Sequence, residues 1–231
     1  MQTGCITHFF ESMLIQEEEL RYLPAFDIKK TESVVVPYLW QHCLGPTALS
    51  DFAHIYFPLL HFEDFDNLSN KRLIERLSVS MLAAQVVDCR TRILHADTGA
   101  PYLAEGGLHI SVSHSNHIYA LSLSAAKHGI DVEQWGSKAY KVRKHFLQPN
   151  EEMLMTELAS KLGGMDRAAT LLWSAKESAY KFLNDKQAFL LSDIHLYAAD
   201  ERLLMVDFPN HNMQASIEYV CYPHCIQTCC R

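Results

Sequence analysis

The sequence predicts an α+β fold in two halves, residues 1–126 and 127–231. Three observations carry this. Helical periodicity is confined to a few stretches, chiefly 68–87 and 171–182, while short alternating or β-branched runs lie between them. Residues 125–128 are the best hinge: strands around one long helix precede it, and a strand, three helical segments and four more strands follow. The length, 231 residues, is enough for one large domain or two small ones, and no internal sequence repeat is visible.

In chain order, 5–10 reads as an opening strand, 17–23 as a helix ending at Pro24, and 33–36 as a strand stopped by Pro37. Residues 47–60 are apolar enough for a helix but unusually aromatic, and Asp64, Asp66 and Asn67 form a polar loop. The helix over 68–87 repeats Leu73, Leu77, Met81 and Ala84 along one face. Its charges, Lys71, Arg72, Glu75 and Arg76, are either a solvated face or a basic anchor for an anionic ligand. Residues 92–95 form a strand and 97–101 a turn. Residues 108–112 and 119–124 form a hairpin with the loop Ser113-His114-Ser115-Asn116-His117.

Past the hinge, 129–133 is a strand and 138–146 and 149–162 are helical, with Pro149 in the first turn of the latter. Gly163-Gly164 breaks the chain, and Asp166 is placed to cap the helix that holds Trp173, Glu177 and Lys181. Strands follow over 194–198, 203–206, 215–222 and 225–229.

Bulk composition excludes several classes. Hydrophobic residues at 48% and charged ones at 20% describe a globular chain rather than a disordered one. The net charge of −7 argues against nucleic acid as the main partner. No window of about 18 apolar residues and no basic-then-apolar leader is present, so neither membrane insertion nor secretion is expected. Seven cysteines, an odd number, fit reduced thiols in a cytoplasmic protein. Four of them crowd the C-terminus, but Cys221, Cys225, Cys229 and Cys230 lack the paired C-x-x-C spacing of zinc sites and read as small buried residues on a terminal hairpin.

The chemistry lies in two stretches. In Gly129-Ile130-Asp131-Val132-Glu133, two carboxylates at i and i+2 of a strand point to one side. Their repulsion is unfavourable unless a cation or donor offsets it, and hard oxygen ligands suit Mg²⁺. In Trp173-Ser174-Ala175-Lys176-Glu177-Ser178-Ala179-Tyr180-Lys181, the first residue, Glu177 and Lys181 share one helical stripe. By itself Glu177 with Lys181 is an i, i+4 salt bridge, and Ser113 with His114 is a polar hairpin tip. No G-x-S-x-G elbow, P-loop or dinucleotide-binding glycine pattern is present.

Taken in order, Gly99-Ala100-Pro101-Tyr102-Leu103, Ile110-Ser111-Val112-Ser113-His114-Ser115, the Asp131–Glu133 motif and the Trp173–Lys181 motif resemble the 4′-phosphopantetheinyl transferase superfamily, in its longer, surfactin-synthetase-activating type. The resemblance covers residues 68–198. It implies two similar pseudo-symmetric halves, each a small antiparallel sheet packed on a long helix. It also implies transfer of the 4′-phosphopantetheine arm of coenzyme A to a serine of an acyl or peptidyl carrier protein, with release of 3′,5′-ADP, by a monomeric enzyme. On the same basis Asp131, Glu133 and Glu177 would hold Mg²⁺, Glu177 would take the serine proton, and Lys181 would steady the transferring phosphate. Ser113 and His114 would bind coenzyme A phosphates, with Arg72, Arg76 or Lys71 supplying further charge.

Three departures remove positive charge. Ala100 replaces a lysine of the glycine-proline turn, Ser80 an arginine of the long helix, and His145-Phe146 an Arg-Phe pair. They suggest one alternative, a non-catalytic relative that binds coenzyme A or a carrier; a second, from another class, is a Mg²⁺-dependent phosphohydrolase using the same three acids. The run Lys138, Lys141, Arg143 and Lys144 is either a solvated helix face or a dock for an acidic carrier.

Overall fold

A computed structural model describes residues 35–184, 191–200 and 202–231. The strand and helix expected over 5–10 and 17–23, and the start of the strand over 33–36, lie outside them. The chain forms two compact units, Met1–Ala126 and Lys127–Arg231. Both combine helices with antiparallel sheet, so the fold is α+β.

The N-terminal unit contains β1 (Val36–Gln41), α1 (Pro46–Tyr56), α2 (Asn70–Val86), β2 (Ile93–His95), β3 (Pro101–Leu103), β4 (His109–Ser115) and β5 (Ile118–Ser124). The main sheet has the order β1-β5-β4, and β2 and β3 form a separate ribbon. Pro37 does not stop a strand, as its sequence suggests. It sits inside β1, opposite Ser122, where an edge position tolerates the missing N–H. The ambiguous aromatic stretch is helix α1, with Pro46 at its start. Ser69 caps α2 by accepting the Arg72 N–H at 3.4 Å. Leu77, Met81 and Leu82 of α2 are buried, as are Trp40, Leu121 and Leu123 of the sheet.

The expected five-residue loop between β4 and β5 is a two-residue turn. The ladder continues through Ser113↔Ala120 and His114↔Tyr119 to Ser115↔Ile118, and Asn116 turns the chain with φ of 51°. Asparagine is one of the few residues that reaches this region readily, so the turn is tighter than a count of polar residues suggests. Ser113 and His114 are therefore strand residues facing opposite ways, one buried and one exposed.

The C-terminal unit runs β6 (Gly129–Gln134), α3 (Lys138–Val142), α4 (Glu151–Leu162), α5 (Met165–Leu183), β7 (His195–Asp200), β8 (Leu203–Phe208), β9 (Met213–Cys221) and β10 (Cys225–Cys230). Its sheet has the order β6-β10-β9-β8-β7, antiparallel throughout. Pro149 lies before α4, whose N-cap position is Asn150. Gly163, at φ of 83°, closes α4 in the left-handed conformation. Asp166 is in the first turn of α5 rather than at its cap, which is Gly164, and there its charge favours the helix N-terminus.

Helix α5 buries Ala168, Ala169, Leu171, Leu172, Ala175 and Ala179 against this sheet and α4. Small residues let it approach closely, and Ser174 and Thr228 tie it to β10 by a hydroxyl contact of 3.0 Å and a Thr228 hydrogen bond to the Ser174 carbonyl at 2.8 Å. Cys225 and Cys230 of β10 are buried and unbridged, and burial pushes the Cys225 and Cys229 thiols up to about 12. Among the described residues no helix is long and apolar enough to cross a membrane.

Candidate active site

The site is set by how closely α5 lies on β6. A Cβ on Gly129 would stand 2.2 Å from the Ser178 carbonyl oxygen and 2.5 Å from the Phe182 nitrogen, so only glycine fits. Since side chains alternate along a strand, Asp131 and Glu133 share the side of Gly129 and face the helix too. Strand and helix run in opposite directions, so successive strand positions meet earlier turns of α5. Gly129 meets the Ser178–Phe182 backbone, Asp131 meets Lys181, and Glu133 meets Trp173.

Lys181 Nζ donates to Asp131 Oδ1 at 2.8 Å; the aspartate is 4% exposed. Lys181 thus reaches across to the strand, which goes beyond the surface i, i+4 pair that its spacing suggests. Trp173 Nε1 donates to Glu133 Oε1 at 3.1 Å. Glu177, half-buried between these two contacts, has its carboxyl raised above the usual range. Burial is the main cause, the Asp131 and Glu133 charges add to it, and Lys181 opposes it. Three acids that feel one another's charge offer the hard oxygen donors a divalent cation such as Mg²⁺ takes, and the donor set fits it in kind. Among the described residues no three His, Cys, Asp or Glu side chains stand already grouped around a metal position.

Sequence reasoning passed over the support behind this cluster. Lys176 and Glu151 are fully buried and paired at 2.6 Å. Lys176 also donates to the Phe146 carbonyl at 2.7 Å, and Glu151 accepts the Leu196 and Gln148 backbone N–H groups, each at 2.7 Å. Lys176 adjoins Glu177 in the sequence but lies on the buried side of α5, where burial lowers its pKa. Only the mix of a lysine with an apolar helix face could have signalled it.

The expected coenzyme A ligands lie in the N-terminal unit. Arg72, Arg76 and His114 line one pocket, together with Ser80, Arg92, His95 and Glu75. Ser113, on the opposite side of β4, is buried and does not line it. Glu75, one of the helix charges read from sequence as either a solvated face or a basic anchor, is buried and gathers its neighbours. His114 Nε2 lies 2.8 Å from Glu75 Oε1, Arg72 3.4 Å from Oε2, and Lys71 3.7 Å from Oε1. Arg76 lies 3.4 Å from His95 Nδ1. Arg92 donates to Asp64 at 2.6 Å, so part of its charge is already matched. Arg92 and His95, which sequence reasoning left as plain strand residues, thus belong to this basic pocket.

Residues 127–226, nearly all of the C-terminal unit, match the model of the 4′-phosphopantetheinyl transferase superfamily. This unit is a domain of that superfamily. No curated protein matches the chain.

Proposed function

We propose that this chain, with its 4′-phosphopantetheinyl transferase superfamily domain, transfers the 4′-phosphopantetheine arm of coenzyme A to a serine of an apo acyl or peptidyl carrier protein. The observation that carries the reading is the meeting of Asp131 and Glu133 on β6 with Glu177 and Lys181 on α5, inside the matched region.

In this reading Asp131, Glu133 and Glu177 hold Mg²⁺. The ion, when bound, neutralises charge on the pyrophosphate of coenzyme A. The carrier serine Oγ attacks the phosphorus that bears the pantetheine arm. A new O–P bond forms, and the bond from that phosphorus to the bridging oxygen breaks, with its electron pair leaving on 3′,5′-ADP. Glu177 accepts the serine proton, directly or through a water. Its raised carboxyl makes it a better base than an ordinary glutamate. Lys181, on leaving Asp131, steadies the transferring phosphate.

The pocket with Arg72, Arg76 and His114 takes phosphates of coenzyme A, and Ser113 supports β4 beside it. Ser80, in place of an arginine, lines the same pocket, where Arg92 offsets part of the missing charge. Lys138, Lys141 and Lys144 are exposed, whereas Arg143 is half-buried over the Tyr140 ring. The three lysines are the face offered to an acidic carrier. The protein acts as a monomer of the surfactin-synthetase-activating type.

Incubation with coenzyme A, Mg²⁺ and an apo carrier tests the reaction. Release of 3′,5′-ADP that requires carrier supports transfer. Cleavage of coenzyme A without carrier favours a phosphohydrolase, and binding of coenzyme A without either product favours a non-catalytic relative.

A further inference from the structure

We infer that Trp173 is a positioning residue for Glu133, orienting the carboxylate for a divalent cation; this rests on the reading of Glu133 as a ligand. The indole N–H donates to Glu133 Oε1 at 3.1 Å. Indole nitrogen is a donor only and carries no charge. It fixes one carboxylate oxygen without neutralising the group, which a lysine or arginine in its place would do. Glu133 shares its side of β6 with Asp131, and mutual repulsion favours turning such a side chain out to water. The hydrogen bond holds it in.

The indole is itself held. Its ring meets Phe146 edge-on, with centroids 5.1 Å apart, and Phe146 is 1% exposed. The Phe146 carbonyl accepts from Lys176 at 2.7 Å, and Lys176 is locked to Glu151. Glu151 in turn accepts the Leu196 N–H. A continuous chain therefore runs from the buried ion pair through Phe146 and Trp173 to Glu133. Partners behind metal ligands commonly set affinity by 10–100-fold.

Trp173→Phe removes the N–H and keeps an aromatic ring against Phe146. Titration with Mn²⁺ should show binding weakened by roughly tenfold, while Trp173→Phe in a Glu133→Ala background should weaken it no further than Glu133→Ala alone. A structural role alone would lower the melting temperature and weaken binding equally in both backgrounds. In the wild-type protein the Trp173 indole N–H resonance should move on adding Mg²⁺, which keeps the inference testable if the variant folds poorly. Unchanged Mn²⁺ affinity in Trp173→Phe, with affinity lost in Glu133→Ala, overturns the positioning role alone. Unchanged affinity in Glu133→Ala overturns the ligand reading and this inference together.

Discussion

The Lys181 ammonium lies 2.8 Å from Asp131 Oδ1, so α5 delivers a cation to the strand carboxylate that the proposed reaction assigns to Mg²⁺. The lysine and a divalent ion compete for the same charge. One unit charge about 4 Å away is worth about 4 kcal/mol at an effective dielectric of 20, before relaxation and screening. Lys181→Met should therefore tighten Mn²⁺ binding several-fold while slowing transfer. Calorimetric titration of the variant checks the first part, and weaker binding would show that Lys181 assists the ion instead.

Glu177 makes a second prediction, from its raised carboxyl. A group whose folded pKa lies above its unfolded one contributes stability at low pH and loses it as pH rises. The window opens near the ordinary glutamate value, about 4.3, and closes above the raised one. Glu177→Gln removes that cost, so the variant should be more stable than wild type at pH 7 and equal to it at pH 4. Urea unfolding at the two pH values measures this. Lower stability of the variant at pH 7 would mean that the carboxylate is better compensated than its neighbours indicate.

The N-terminal unit should be acid-labile through His42. Its Nδ1 accepts the Leu44 N–H at 3.2 Å, which leaves Nε2–H to donate to Ser78 Oγ at 2.8 Å, and Ser78 donates to the Ile74 carbonyl at 2.6 Å. Burial, with His117 adding to it, pushes the imidazole down to about 4. A second proton would face the Leu44 N–H. Stability carried by the neutral ring is present above about 6.5 and is lost as pH falls towards about 4. His42→Gln should flatten that decline, as followed by thermal melts across the interval.

Gly129→Ala should destabilise the C-terminal unit by more than the usual 1–3 kcal/mol of overpacking, about 3 kcal/mol or above. The neighbours at 2.2 and 2.5 Å are backbone atoms that have no rotamer to change. Denaturant unfolding of the variant is the check, and a loss below about 1 kcal/mol would mean that α5 slides easily on β6.

How much of this was legible in the sequence depended on periodicity. The i, i+2 acids of β6 and the i, i+4, i+8 stripe of α5 each pointed to one face, because strand and helix geometry fixes direction from spacing alone. Which residues meet across the two elements was not legible. The Lys181–Asp131 and Trp173–Glu133 contacts depend on the antiparallel offset that Gly129 permits, a tertiary fact. Glu151 and Lys176 were passed over for a related reason. Charged residues are taken for solvated faces unless a partner is known, and their partners lie 25 residues apart in sequence. The hairpin loop was overestimated because Ser113 and His114 are polar, while the turn between Ser115 and Ile118 is made with Asn116 at positive φ.

The most direct measurement of the central claim is the mass of an apo carrier protein after incubation with this protein, coenzyme A and Mg²⁺. The carrier should gain one phosphopantetheine on a single serine, and Glu177→Gln, which keeps shape and removes the base, should slow the gain by at least about 100-fold. A carrier mass that stays unchanged across fatty-acid, polyketide and peptide carriers, or an equal gain with Glu177→Gln, would contradict it.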